Sequence, residues 1–202
     1  MRLPSYLALA SLLGLALGLS SLLGCASSEP ARFYVLNALP NPAGATGETP
    51  GESAIGIGPI TLPEHLDRTQ IVTRTSSNEM NLSEFHKWAG SLRDNITQVL
   101  AENLSVLIPT QQVRIYPWKR ATHVDYQVTV EITRFDRQEG GDSVLNARWS
   151  LLAGDGKTEL LTRSSSFRSH PAGEDYPATV TAMNETLEAF SREIAGAIKS
   201  LR

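Results

Sequence analysis

Residues 54–74 read AIGIGPITLPEHLDRTQIVTR and begin the segment, residues 54–107, around which the rest of the folded chain is organised. Ala54–Ile60 alternates small and apolar residues, which is typical of a strand in the core of a sheet. Pro59 and Pro63 bracket a turn, and a second strand is predicted over Thr69–Arg74. The stretch therefore predicts two core strands joined by a proline-marked turn.

The residues that follow show apolar positions at helical spacing. Asn81 and Glu84 have the spacing of a capping box. Met80 and Phe85 have the spacing of a hydrophobic staple. Apolar residues recur at steps of three and four, at Phe85, Trp88, Leu92, Ile96, Val99, Leu100, Leu104 and Leu107. We therefore predict a helix that begins near Asn81, buries this stripe and ends before Pro109.

The second half of the chain is rich in predicted strands. Gln111–Tyr116 is short and β-prone. From Val124 to Ile132 apolar and polar residues alternate, as in a half-buried strand, and the apolar phase shifts near Thr133–Arg134, where we expect a bulge. Turns at Gln138–Asp142 and Gly154–Lys157 separate two further strands. These three strands should form an antiparallel meander.

A second amphipathic helix is predicted at the carboxyl end. It begins near Pro177, which suits a first helical turn. Its apolar stripe consists of Val180, Met183, Leu187, Phe190, Ile194, Ile198 and Leu201. With a first strand at Arg32–Leu36, the expected fold is an α/β (α+β) body of two layers. A mixed or antiparallel sheet is covered by two amphipathic helices, in the order β-β-β-α-β-β-β-β-α.

Composition is that of an ordinary globular protein. The chain has 202 residues, of which 41% are hydrophobic and 19% are charged. We predict a single domain over residues 33–202, with a flexible Pro- and Gly-rich loop at residues 40–53 (PNPAGATGETPGES). The net charge of -3 argues against a nucleic-acid partner, because such proteins usually carry a basic face.

The amino terminus has the features of a secretory signal. Arg2 precedes an apolar run from Tyr6 to Leu23, and no other charged residue occurs before Cys25. A membrane-spanning helix of about 20 residues is the competing interpretation. Residues 22–25, LLGC, resemble the lipobox of bacterial lipoproteins. This resemblance favours a signal peptide at residues 1–24, cleavage between Gly24 and Cys25, and a lipidated tether at residues 25–32.

The lipid on Cys25 is the only non-protein group that we expect, and no cofactor is predicted. It would comprise a diacylglyceryl group and an N-acyl chain (palmitate, for example). Stable anchoring needs two lipid signals, and this group exceeds that requirement. Residue 26 is Ala rather than Asp. By resemblance to the sorting rule of Gram-negative lipoproteins, the protein is expected at the outer membrane, facing the periplasm.

No catalytic or metal-binding residues are predicted. The four histidines show no H-x-H or H-E-x-x-H spacing, and the single cysteine excludes a cysteine cluster. There is no G-x-S-x-G motif of a serine hydrolase. Gly56-Ile57-Gly58 lacks the third glycine of a dinucleotide site and is followed by Pro59. We therefore expect a protein that is not an enzyme.

The order of several short motifs resembles one family. These motifs are GPITLPEHLDRTQIVTR at residues 58–74, Trp88, LAENLS at residues 100–105 and YPW at residues 116–118. Together they resemble the ABC-type transport auxiliary lipoproteins, the paraquat-inducible protein C-like group, also described as membrane integrity-associated transporter subunits. The resemblance covers nearly the whole mature chain and implies a sheet with helices packed on it.

The same resemblance implies a function in lipid transport. The chain would be an accessory subunit of a mammalian-cell-entry/ABC-type lipid transport system that supports membrane integrity. Its partner would be a mammalian-cell-entry-type periplasmic protein, which it docks to the outer membrane. Members of the family are also expected to form homo-oligomeric rings.

Two proline-containing segments are candidates for the partner interface, because Trp, Tyr and Arg are favoured at binding hot spots. The candidate residues are Pro59, Leu62, Pro63, Leu66, Arg68, Tyr116, Pro117 and Trp118. The alternative is that these residues close the core.

Two other functions share the predicted anchor and small body. One is a lipoprotein activator of a cell-wall synthase or an outer-membrane assembly factor. The other is a periplasmic lipid carrier or hydrolase. Neighbouring genes would distinguish the first alternative. A co-purifying lipid or turnover of esters would distinguish the second.

Overall fold

The computed structural model describes residues 29–40, 53–108, 110, 112–119 and 122–201. The chain divides into two units, Met1–Pro30 and Ala31–Arg202. The predicted signal peptide, Cys25 and most of the predicted loop at residues 40–53 lie outside the described residues. The described part of the second unit is the body that carries the candidate interface.

Eight strands and two helices make up the described body. Four strands precede the first helix in the chain: β1 (Arg32–Tyr34), β2 (Ile55–Thr61), β3 (Gln70–Arg74) and β4 (Met80–Trp88). A fifth strand, β5 (Val113–Ile115), follows it. The meander consists of β6 (Tyr126–Gln138), β7 (Ser143–Ala153) and β8 (Glu159–Ser169). The helices are α1 (Leu92–Leu107) and α2 (Tyr176–Ser200). This arrangement confirms an α+β fold.

All eight strands belong to one mixed sheet. The order β1-β4-β3-β6-β2-β5 forms one path, and β7 and β8 continue the sheet from β6. One edge of β6 is shared by two strands, since β2 pairs with residues 126–131 and β3 with residues 137 and 138. The other edge pairs with β7 along its length. The sheet therefore branches at β6.

The two helices cover one face of this sheet. The stripe of α1 that contains Ile96, Leu100 and Leu104 is buried, as predicted. In α2, Phe190 contacts Trp149 of β7 and Phe167 of β8, with ring centroids 6.2 and 5.9 Å apart. The body thus has a continuous apolar core between sheet and helices.

The predicted start of the first helix is wrong. Residues 80–88 form β4, which pairs with β3 in antiparallel and with β1 in parallel orientation. Helix α1 begins only after Gly90, where Ser91 caps it and the Ser91 Oγ accepts a hydrogen bond from the Asp94 N–H at 3.2 Å. Asn81 is therefore not a helix cap, and the observed order has a fourth strand before α1.

The cause of this error is an irregular strand. The pairing of β3 with β4 shifts register between Gln70 and Val72, and the His86 N–H donates to Ser83 Oγ at 3.0 Å. Trp88 is buried, as the predicted helical stripe required, but it lies in a strand rather than in a helix. Irregular strand spacing thus imitated a helical period.

The meander follows the sequence pattern closely. The β6–β7 register shifts between Ile132 and Arg134, which confirms the predicted bulge. Helix α2 is capped by Asp175, whose Oδ1 accepts from the Ala178 N–H at 2.9 Å. Leu201 is an exception, because it lies just beyond α2 and is exposed.

Three asparagines of the helices hold the segment that follows β1. The Leu36 N–H donates to Asn95 Oδ1 at 2.6 Å, and the Leu39 N–H donates to Asn103 Oδ1 at 2.7 Å. The Asn37 N–H donates to Asn184 Oδ1 at 3.1 Å. We call residues 36–39 the clamped segment. These side-chain amides satisfy three backbone N–H groups of the segment, which therefore need no strand partner.

Candidate functional site

The two candidate interface segments meet at the end of β2. Strand β5 pairs with β2 in parallel, and the Tyr116 N–H donates to the Ile57 carbonyl at 2.8 Å. The chain then brings the Trp118 indole onto Gly56, where a Cβ would lie 2.6 Å from the Trp118 Cη2. The indole contacts the strand because residue 56 has no side chain.

A second glycine shapes the same place. Gly58 has a φ of 108°, in a region that favours glycine, and a Cβ there would lie 3.0 Å from the Tyr116 Cβ. The buried Gln127 donates from Nε2 to the Gly58 carbonyl at 2.8 Å, which satisfies this oxygen where the β2–β6 register shifts. The backbone before Pro59 is thus fixed by packing and by a hydrogen bond.

Tyr116 and Trp118 form an aromatic pair on this backbone. Their ring centroids are 5.4 Å apart with an interplanar angle of 89°, an edge-to-face arrangement. Tyr116 is 49% exposed, Pro59 and Pro117 are exposed, and Trp118 is partly buried. We call Pro59, Tyr116, Pro117 and Trp118 the aromatic ridge.

The remaining predicted residues lie in the loop after β2. Arg68 is exposed, and Leu62 and Pro63 are partly buried. Leu66 is 1% exposed, and its N–H donates to the Pro63 carbonyl at 2.9 Å. Leu66 therefore closes the core, as the alternative for these residues held, and its side chain is not available to a partner.

A groove of about 410 Å³ runs beside the aromatic ridge. Its apolar side comes from Ile57 to Ile60 and from Ile115 and Tyr116. The first turns of α1 supply its polar side, with Arg93, Asp94, Thr97 and Gln98. The groove thus offers apolar contact along one wall and hydrogen-bonding groups along the other.

An ion pair holds the loop to the helix that lines the groove. Asp67 accepts a hydrogen bond from the Arg93 guanidinium. Asp67 thus pairs with a helix residue 26 positions away rather than with the adjacent Arg68. This contact fixes the side of α1 that faces the groove.

Several residues of this groove were not among those predicted from the sequence. Ile115 is exposed beside Tyr116, and its position next to the YPW motif was a signal. Arg93 and Thr97, like Asp94 and Gln98, are four residues apart on α1 and therefore share a helix face. The pairing of β5 with β2, which brings these elements together, left no local signal.

The described residues contain no group of three or more His, Cys, Asp or Glu side chains arranged to hold a metal ion. His123 contacts Asp125 at 3.0 Å, and His170 contacts Asp142 at 3.0 Å, both on the surface. His86 stacks on Tyr176 with ring centroids 3.9 Å apart, and its Nδ1 lies 2.7 Å from the Tyr34 hydroxyl. These contacts join surface loops and secondary-structure elements to one another.

The carboxyl group of Asp155 has a clearly shifted pKa. The backbone N–H of Thr158, its hydroxyl and the Lys157 N–H hydrogen-bond to Asp155 and lower its pKa from 3.8 to about 2. Asp155 lies in the β7–β8 turn, so these hydrogen bonds stabilise the hairpin. They belong to the turn rather than to the groove.

Neither described helix has the length and hydrophobicity that crossing a bilayer requires. The predicted lipid attachment at Cys25 and the cleavage site at Gly24 lie outside the described residues. They therefore stay predictions from the sequence.

Comparisons with known proteins agree with the sequence motifs. The sequence model of a family described as ABC-type transport auxiliary lipoprotein component matches residues 34–195. The intermembrane transport lipoprotein PqiC of Escherichia coli (strain K12) is 22% identical over 180 residues, which cover 89% of this chain and 93% of PqiC. PqiC of Shigella flexneri matches to the same extent.

Two solved structures share the fold over nearly their whole length. A protein from Xanthomonas campestris gives a TM-score of 0.68 at 16% identity, over 85% of this chain and 100% of the other. An uncharacterised protein gives a TM-score of 0.70 at 18% identity, over 84% of this chain and 99% of the other.

Proposed function

This chain belongs to the ABC-type transport auxiliary lipoprotein family, and on that premise we propose that it docks a lipid transporter to the outer membrane. The protein is a non-enzymatic accessory subunit of a mammalian-cell-entry/ABC-type system. It binds a periplasm-spanning mammalian-cell-entry-type protein and so supports membrane integrity. Phospholipid or another apolar molecule is the cargo of that system.

The family match over residues 34–195 carries this proposal. It includes both helices up to residue 195 and all the strands after residue 34, so it covers the groove and the aromatic ridge. The similar protein PqiC is named an intermembrane transport lipoprotein, which supports a role in transport between membranes.

The membrane anchor in this proposal is a lipid on Cys25. Signal peptidase cleaves between Gly24 and Cys25, and residues 25–32 form the tether. Ala26 directs the lipoprotein to the outer membrane, by resemblance to the lipoprotein sorting rule. A triacylated cysteine exceeds the two lipid signals that stable anchoring requires.

The partner surface in this proposal is the aromatic ridge together with the groove. Tyr and Trp are enriched at binding hot spots, and Tyr116 is half exposed beside exposed Pro59 and Pro117. Packing of Trp118 on Gly56 holds the ridge rigid, which reduces the entropy lost on binding. An apolar side chain of the partner would enter the groove, while Thr97 and Gln98 offer hydrogen bonds.

We also propose a homo-oligomeric ring, on the family resemblance. Such a ring would place several copies of the ridge around one periplasm-spanning partner. Light scattering of purified protein measures the copy number, and a strict monomer at micromolar concentration would contradict the ring.

The decisive experiment is an affinity pull-down of full-length protein with a carboxy-terminal tag from envelope membranes. We expect mass spectrometry to find a mammalian-cell-entry protein in the eluate. Tyr116→Ser should reduce its recovery at least tenfold, since one hot-spot side chain contributes about 2 kcal/mol or more. Leu160→Ser, at an exposed position of β8, is the matched control and should leave recovery unchanged.

Recovery of cell-wall synthases without any transport subunit would overturn the proposal in favour of an activator. A stoichiometric, non-covalently bound lipid in protein without the covalent lipid anchor would indicate a carrier. Equal recovery by the Tyr116→Ser variant and wild type would remove the ridge from the interface and leave the partner in place.

A further inference from the structure

The outer side of the first strand is unusually apolar. Side chains alternate along residues 33–36: Tyr34 is partly buried and Leu36 buried, while Phe33 is 65% and Val35 49% exposed. Phe33 is the most exposed large hydrophobic side chain among the described residues. Exposed apolar side chains on an edge strand favour association with another surface unless something covers them.

Charged side chains flank this apolar pair. Phe33 lies beside Lys87 in the parallel β1–β4 ladder, and Arg32 precedes it. A cation thus lies directly beside the apolar pair, as in segments that rest at the interface of a bilayer.

The position of β1 in the chain identifies what covers this surface. Phe33 is eight residues after Cys25, so it lies within about 28 Å of the anchor even when the tether is fully extended. A short covalent connection of this kind gives a high effective concentration of the strand at the membrane surface. No other described strand begins so close to the predicted anchor.

We propose that Phe33 and Val35 contact the outer-membrane lipid surface and orient the domain on it. This inference rests on the proposed lipid anchor at Cys25. Phe33 and Val35 enter the interfacial region between headgroups and acyl chains, and Lys87, beside Phe33 in the ladder, lies among the phosphates. The contact is with lipid as a surface, and it requires no specific lipid molecule.

The sheet order gives this contact a consequence for the partner. Strands β1 and β5 are the two ends of the path β1-β4-β3-β6-β2-β5. The branch that ends in β1 joins β6 at residues 137 and 138, and the branch that ends in β5 joins it at residues 126–131. Contact of β1 with the bilayer therefore uses none of the residues of the aromatic ridge.

A fluorescent probe on the domain tests the contact. Cys25 is the only cysteine and is acylated in the mature protein, so Val35→Cys introduces a single reactive thiol. An environment-sensitive fluorophore on this thiol reports lipid contact while Phe33 is retained. The lipidated full-length protein is reconstituted in phosphatidylethanolamine vesicles with a minority of phosphatidylglycerol. Some of the phospholipid carries a quencher near the headgroup.

We expect emission at position 35 to shift to the blue and to be quenched at least twofold by the labelled lipid. Leu160→Cys on β8, which is 41% exposed, is the matched control and should be quenched little. Phe33→Glu, combined with Val35→Cys, should abolish the quenching, because a carboxylate does not enter the interface.

Each of the remaining outcomes would contradict one part of the proposal. Protein that floats with the vesicles but shows equal quenching at positions 35 and 160 overturns the contact and leaves the anchor intact. A blue shift without lipid quenching assigns Phe33 to a contact between protein copies and also overturns it. Protein that does not float overturns the anchor, and the contact with it.

Discussion

The contact between Trp118 and Gly56 explains why the residue between two apolar isoleucines of β2 is a glycine. A methyl group at residue 56 would lie 2.6 Å from one ring carbon and 2.9 Å from another. We predict that Gly56→Ala lowers the free energy of unfolding by about 1–3 kcal/mol, the usual range for overpacking. It should also displace the indole and weaken capture of the partner. Urea unfolding followed by tryptophan emission measures the first effect.

Gly90→Ala is the control for this substitution. A Cβ at Gly90 meets no atom within 4 Å, so the midpoint of unfolding should change little. If the two variants had equal midpoints, the indole would not be packed against β2 as described.

The shifted pKa of Asp155 predicts a pH dependence for the hairpin. Because the folded-state pKa is about 2 and the ordinary value is 3.8, the charged form is favoured by folding. The stabilisation is therefore complete above about pH 4 and is lost as the pH falls towards 2. Asp155→Asn should remove this part of the pH dependence of the unfolding midpoint. An unchanged slope between pH 4 and 2 in that variant would contradict the assignment to Asp155.

At the residue scale, the sequence indicated the ridge but not its packing. Tyr116, Pro117 and Trp118 stood out as aromatic and turn-forming residues in a short segment. Their contact with Gly56 depends on parallel pairing between strands more than 50 residues apart, and local periodicity carries no information on such pairing. Leu66 stood beside polar residues in the sequence, and only the tertiary fold shows it in the core.

At the scale of elements, the start of α1 is the sharpest test of the structure. Ser91 caps the helix in the structure, whereas the sequence pattern predicted Asn81. We predict that Ser91→Ala lowers the free energy of unfolding by about 1 kcal/mol, the typical contribution of an N-cap. Asn81→Ala should have almost no effect, because Asn81 is an exposed residue of β4.

Chemical denaturation of both variants under one condition measures the difference. A larger loss for Asn81→Ala than for Ser91→Ala would place the helix start where the sequence pattern had it. That result would also contradict the pairing of β4 with β1 and β3.

Elements with a regular period were predictable, and the irregular one was not. Strands β6 and β7 alternate cleanly, so their faces, turn and bulge followed from the sequence. Strand β4 has a register shift, so its buried residues fall at mixed intervals. A capping box and a staple at the same place then favoured a helix, although Gly90 is a poor helix residue and Ser91 offered an alternative cap.

At the scale of the whole molecule, the anchor and the folded body are separable in the proposed function. We predict that Cys25→Ser abolishes membrane association and leaves the unfolding midpoint of the domain unchanged. Flotation with vesicles and thermal denaturation measure the two properties. Membrane barrier function should be lost in cells whose only copy of the protein is this variant. Full barrier function in those cells would show that the tether is dispensable.

The two-layer fold was predictable at this scale, but the branching of the sheet was not. Two amphipathic helices and a set of alternating strands suffice to give the layers. Strands β2 and β3 pair with different parts of the same edge of the long strand β6. That pairing is set by core packing between distant segments.

The clamped segment gives the molecule a mechanical property. Tension on the amino-terminal side enters the domain at β1, which pairs with β4 in parallel over three residues. A pull along this strand loads its ladder hydrogen bonds and the amide contacts of Asn95, Asn103 and Asn184 in shear, many at once. Bonds loaded together resist far more force than bonds opened one by one. In a protein held between a membrane and a moving partner, β1 and the clamped segment would therefore be the last part of the fold to unfold under tension.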